Sequence, residues 1–271
     1  MLALCLLASG AVAGPPDRPT PVADRRAADP LAAPGEQFKP RLGALQYRIV
    51  WRGVTAGDIV LNKDFRDNRH TLSLRGESNE HIDRVYRVRY QAISQMSANP
   101  FLPLRAVYRE NVQNDRKHFQ LDFHPDGTVS VTRDRQRPGR EPSADRYELR
   151  PGLFAADPLA GLVLLMKTDW REGMTLQFEV LSGKDRFLAS LRCVGRARLT
   201  VMDIRREAWV LSLTMTEITE GANSAKQEPE HEPVRIFVSN DPFREILRLE
   251  GHTPLGEVQA RLHRFSPLKT R

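Results

Sequence analysis

Apolar residues recur at every second position through most of this chain. Leu45, Tyr47, Ile49 and Trp51 alternate with polar or small neighbours, as do Ile59 and Leu61, Leu72 and Leu74, and then Tyr86, Val88, Tyr90 and Ala92. Leu104, Ala106 and Tyr108 continue the series. Phe119, Leu121 and Phe123 run into Pro125-Asp126-Gly127, a hairpin turn signal, and Val129 and Val131 return from it. The second half repeats the style. It runs through Met174 to Val180, Phe187 to Cys193, Leu199 and Val201, Trp209 to Met215, Val234 to Val238, Ile246 and Leu247, and Val258 to Leu262. A period of two marks strands with one buried face.

One segment breaks this rhythm. Asp157 is placed to cap a helix with Pro158 at its first position, and Leu159, Leu162, Val163 and Met166 follow at helical spacing. The pattern predicts a mainly β protein: a large antiparallel meander sheet, curled into a half-barrel or open barrel, with one main helix near 158–168. Short connections favour the meander, and a sheet of so many twisted strands cannot stay flat. One helix can then plug or cover its mouth.

The ends read differently. Residues 1–13, MLALCLLASGAVA, are apolar and uncharged and finish in a small-x-small pattern, the shape of a secretory signal peptide without the usual basic start. Residues 14–41 hold seven of the 19 prolines and read as a flexible linker. The single β-rich domain is expected over 42–266, with 267–271 as a tail. Removing the first 13 residues takes Cys5 with it. Cys193 is then a lone cysteine on a core face, expected as an inert buried thiol rather than a nucleophile. Exported bacterial protein, in the periplasm, is the expected location.

The 271 residues carry 41 Lys and Arg against 34 Asp and Glu, a net charge of +7. In an exported protein a basic surface suits anionic lipid or phosphorylated glycolipid. Nucleic acid is disfavoured by the compartment and by the lack of zinc-finger spacing or a clustered basic helix. Apart from the first residues, the longest uninterrupted apolar run is Leu162–Met166, far below the roughly 20 residues of a spanning helix, so no transmembrane span is expected in the mature chain.

Candidate chemistry is sparse. There is no phosphate-cradling glycine loop, no G-x-S-x-G elbow and no H-E-x-x-H. Ser266-Pro267-Leu268-Lys269 fits S-x-x-K by chance only, without its companion motifs. His118, Asp122 and His124 share one strand face but make a poor metal site without a further ligand. Glu228, Glu230 and Glu232 read as a solvated loop. The expectation is no catalytic residue, no metal and no cofactor. Tyr47, Trp51, Tyr86, Tyr90, Phe119, Phe123, Phe178 and Trp209 fall on apolar strand faces that a curled sheet turns inward. They line a ligand cavity if the interior is open and form ordinary core if it is filled, and dense packing favours core.

Tyr47-Arg48-Ile49-Val50-Trp51-Arg52-Gly53-Val54-Thr55-Ala56-Gly57 resembles the opening Y-x-x-x-W-x-G-x-x-A-G of the bacterial domain of unknown function 3108 family. Asp157-Pro158-Leu159 resembles its helix entry, and Val234 to Asp241 with Gly256 and Leu262 resembles its closing motif. The resemblance covers about residues 42–265. Phe243-Arg244-Glu245-Ile246 departs from it, standing where an arginine and a proline-led strand are expected. The resemblance implies an exported protein whose curled sheet is similar to the periplasmic lipoprotein-carrier fold, with no catalytic residue to carry over.

Three functions follow as expectations. The first is a non-enzymatic periplasmic protein that binds a lipid or another amphipathic envelope molecule in the concave face. The second is a structural or interaction module with an envelope protein as partner. The third is an enzyme acting on envelope glycan or lipid, which the sequence favours least.

Overall fold

The computed structural model describes residues 38–218, 232–253 and 256–268. Residues 1–37, Glu228 and Glu230, and the tail from 269 lie outside the described residues. The chain forms β1 (Gly43–Trp51), β2 (Val54–Arg66), β3 (Arg69–Ser78), α1 (Glu80–Asp83), β4 (Val88–Ala98), β5 (Phe101–Val112), β6 (Asp115–Phe123), β7 (Val129–Gln136) and β8 (Ser143–Leu149). It continues through β9 (Ala155–Ala156), α2 (Pro158–Lys167), β10 (Thr175–Ser182), β11 (Asp185–Val201), β12 (Ile204–Glu217), β13 (Val234–Ser239), β14 (Ile246–Thr253) and β15 (Gly256–Pro267).

All fifteen strands belong to one sheet, in the order β8 back to β1, then β15 back to β9. Two meanders are thus joined along a seam where β1 pairs antiparallel with β15, Tyr47 opposite Leu262 and Ile49 opposite Ala260. Among the described residues only β9 pairs parallel, with β10. The sheet is curled and open, and its edge strands are β8 and β9. The alternating residues turn one face inward: Leu45, Tyr47 and Ile49 from β1, Leu72 and Leu74 from β3, Leu211 and Leu213 from β12 are all buried in one core.

The curl brings distant strands together. Gly183, in the β10–β11 turn, lies so close to Phe119 of β6 that a Cβ there would sit 2.5 Å from the ring. Its φ of +63° is also left-handed. Gly183→Ala therefore clashes and strains the turn at once. It is expected to lower the unfolding free energy by about 1–3 kcal/mol, read as a lower urea midpoint with unchanged slope.

α2 fills the hollow. Asp157 caps it by accepting from the backbone N–H of Leu159 at 2.9 Å, and it accepts a 2.6 Å hydrogen bond from the Ser94 hydroxyl of β4. Every residue from Leu159 to Lys167 is buried. A helix that is apolar all round has no solvent face, and here both walls of the curled sheet cover it. Gly161 lets it approach β10, since a Cβ there would meet the Phe178 ring at 3.2 Å. Trp170, just beyond, donates its indole N–H to the Leu165 carbonyl at 2.9 Å.

Two strand expectations shift. The alternation through Tyr86 does not make strand: Val85 and Tyr86 donate to the Ile82 carbonyl in a turn after α1, and β4 begins at Val88. Leu104 is the extra residue of a β-bulge opposite Gln95 and Met96, so the buried face of β5 runs from Phe101 and Pro103 to Ala106 and Tyr108. The packed body also begins ahead of residue 42, because Phe38 lies against the core and Arg41 pairs with Glu245.

Candidate functional site

The concave face is a packed core. Tyr47, Tyr90, Phe119, Phe178 and Trp209 are buried, Trp51 and Phe123 half-buried, and Tyr86 exposed. Tyr86 faces outward because its segment is turn, so it joins no inner surface. Tyr47 donates its hydroxyl to the Ile246 carbonyl at 3.0 Å; burial, aided by the charge of Glu245, pushes its phenol far above the ordinary value. Arg196 stacks 4.2 Å from the Trp209 ring centre. Between α2 and β10–β12 a cleft of only about 70 Å³ remains, walled by Leu162, Leu165, Phe178, Leu191 and Leu213. Ligand pockets usually hold roughly 300–1,000 Å³, so this cleft has no room for an acyl chain unless α2 moves.

One end of the hollow is polar and buried. Lys63 of β2 is 3% exposed, and its ammonium has no hydrogen-bond partner. Burial pushes it down to about 8; Glu245 opposes that shift and Arg41 adds to it. His70 of β3 is pushed down to about 4 by burial and by the positive charges of Lys167 and Lys63. Lys167 donates to the Ala98 carbonyl at 3.0 Å and lies 4.6 Å from the Phe101 ring centre. Glu245, fully buried, is held by Arg41 from the start of the domain and by Arg206 of β12 at 2.8 Å. Burial alone would raise its carboxyl, but these two guanidinium groups outweigh it and hold it below the usual range. Arg206 also pairs with Asp241.

The open concavities lie at the surface. A groove of about 690 Å³ runs across β4–β8, with Arg89, Arg109, Arg116, Lys117 and Arg135 against Glu110 and Asp134. Arg89 is committed to Asp83, and Arg135 to Asp115. Arg109 and Arg116 are exposed and have no ion-pair partner among the described residues. The groove therefore presents two uncompensated guanidinium groups.

His118, Asp122 and His124 do not converge. His118 faces Asp134 at 3.3 Å, Asp122 accepts from Gln120 at 2.6 Å, and His124 meets the Ser130 hydroxyl at 2.8 Å. Among the described residues no three His, Cys, Asp or Glu side chains are placed to hold a metal ion. Cys193 is buried and free, its thiol pushed up by burial.

Residues 46–263 match the family model described as "Protein of unknown function (DUF3108)". The chain belongs to the DUF3108 family. No curated protein matches it. This DUF3108 fold is similar to the crystal structure of a beta-barrel-like protein of domain of unknown function DUF1849 from Brucella abortus. That match has a TM-score of 0.58 at 10% identity, and it covers 86% of this chain and 100% of that one. A candidate lipoprotein from Parabacteroides distasonis aligns with a TM-score of 0.32 at 4% identity, over 85% of this chain and 98% of that one. The first likeness places the DUF3108 sheet among open, barrel-like folds. Among the described residues no helix is long and apolar enough to cross a membrane.

Proposed function

We propose that this DUF3108 protein is a non-enzymatic binding protein of the bacterial periplasm that takes an anionic lipid or phosphorylated glycolipid by its headgroup. The carrying observation is the β4–β8 groove. Its 690 Å³ suits a headgroup, and Arg109 and Arg116 offer guanidinium forks with no carboxylate of their own. The packed interior moves the reading from the concave face, where the sequence placed the ligand, to this surface. Lys63, His70, Asp157 and Glu245 are buried inside the body, away from the groove, while within the groove Glu110, raised by burial, is paired with Lys117 at 3.6 Å. The apolar opening ending in Ala11-Val12-Ala13 supports export.

Co-sedimentation with vesicles tests the proposal. Phosphatidylglycerol-containing vesicles are expected to retain the protein and pure phosphatidylcholine vesicles to release it. Replacing Arg109 and Arg116 together by glutamate should weaken retention by about tenfold or more, since each basic residue near an anionic surface contributes about 1 kcal/mol. Equal retention on both vesicle types, or no effect of the double variant, would sink it.

The second reading, an interaction module, is favoured by one separate observation. β8 is an edge strand, so one side of its backbone is open to another strand. A photocrosslinker at Glu148 that yields one dominant protein adduct in cells, with no lipid retention, selects this reading.

A further inference from the structure

Three arginines stand side by side on the outer face, where the two meanders meet. Arg48 of β1 is directly opposite Arg261 of β15, and Arg261 is directly opposite Arg248 of β14. Opposed residues on neighbouring strands hold their Cβ atoms about 4.5–5.5 Å apart, and like charges so placed destabilise a sheet. Two carboxylates relieve the row in part: Asp58 of β2, directly opposite Arg48 and 3.9 Å from His263, and Glu250 beside Arg248. Arg248 lies 3.0 Å from Glu250 and 4.5 Å from the Phe237 ring centre, but Glu250 is shared with Arg235 at 3.7 Å. Among the described residues Arg261 donates only to the neutral side-chain oxygen of Gln259. Arg48 has no hydrogen-bond or ion-pair partner among the described residues.

The row lines a groove of about 450 Å³ whose other wall is the tip of the β11–β12 hairpin, with Leu199, Val201 and Met202. Asp203 is the single acid among the lining residues, and His263 adds a further basic group. Met202 and Asp203 both adopt left-handed backbone, with φ of 51° and 62°. That conformation is strained for methionine, yet here it sets an apolar side chain against the core beside the arginines.

We propose that this groove binds a phosphate monoester, whose oxygens bridge Arg48 and Arg261 while the ester's apolar part rests on Leu199 and Met202. A carboxylate has two oxygens and satisfies one guanidinium fork. A phosphate monoester is close to a dianion at neutral pH and has three terminal oxygens, enough for two forks at once. The ester comes from a soluble metabolite or from a lipid headgroup; both present the same group. The inference is independent of the β4–β8 groove, which lies on other strands.

The test titrates the full chain with inorganic phosphate and, separately, with phosphatidylcholine vesicles doped with phosphatidic acid, at constant ionic strength set with chloride. At least one probe is expected to bind. Response to free phosphate points to a soluble ester, and response to vesicles alone points to a headgroup. Arg261→Gln should weaken the responding probe by about tenfold, and Arg48→Gln similarly. Without phosphate, Arg261→Gln should melt at or above the temperature of the unaltered protein, because it removes repulsion. Arg261→Lys, which keeps the charge but loses the fork, should bind between the two. Binding of neither probe overturns the proposal. So does phosphate binding that survives both glutamine variants, or that is lost only on replacing Arg109 and Arg116.

Discussion

Replacing Glu245 by leucine is expected to lower the unfolding free energy by about 3–5 kcal/mol, measured by urea denaturation at pH 7. The carboxylate is fully buried and accepts from Arg41 and Arg206 together. Removing it leaves Arg206, only 11% exposed, with Asp241 alone, and frees Arg41 from everything except the Phe243 and Phe265 rings. Because Arg41 is 28% exposed, water recovers part of its loss, which points to the lower end of that range. Glu245→Gln keeps the shape and should lose less. The pH dependence has a definite sign. The folded carboxyl lies below its ordinary value, so its contribution is full above the unfolded value of about 4.5 and fades as pH falls through the folded value. The unaltered protein and the glutamine variant should therefore converge in acid. A leucine variant as stable as the parent at pH 7 would show that the two arginines are solvated rather than held.

Replacing Lys63 by methionine should do the opposite and raise stability at pH 7 by about 1–3 kcal/mol. A buried ammonium without a partner is costly, and methionine matches the volume of its stem. The folded value of about 8 lies below the usual 10.5. The unfolded chain therefore binds more protons between those values, and the stability of the unaltered protein should rise with pH from about 8 toward 10. The full effect of such a displacement is about 3 kcal/mol. Above pH 10 the raised phenol of Tyr47 acts in the opposite direction, which limits the useful window. The methionine variant should lack the rise. A methionine variant less stable than the parent, with no rise in the parent either, would mean that the ammonium has a counter-ion or bound water. Glu245 lies within electrostatic reach of Lys63, so the two substitutions should not add.

Much of this architecture was readable from alternation alone, because a half-buried strand must alternate. The helix at Pro158 was equally plain, through its cap and its unbroken apolar run. Reading failed where local pattern and tertiary context part. Tyr86 keeps the period of β4 but sits in a turn ordered by Ile82. β8, SADRYEL, looks like loop because an edge strand has little to bury. Lys63, His70 and Glu245 are charged or polar residues on core faces, and the Arg41 that holds Glu245 is 204 positions away. The departure from the family pattern at Phe243–Ile246 was the one local sign of that hub. The row of Arg48, Arg261 and Arg248 is invisible until the registers of β1, β14 and β15 are known.

The seam between β1 and β15 also constrains how the molecule is made. Every other antiparallel ladder links strands adjacent in the chain, so each half can zip up hairpin by hairpin as it is synthesised. The first strand, however, waits with one edge bare until the last strand has left the ribosome. A chain stopped anywhere ahead of Gly256 would present that edge to its neighbours, making premature termination a route to clumping rather than to a smaller working protein.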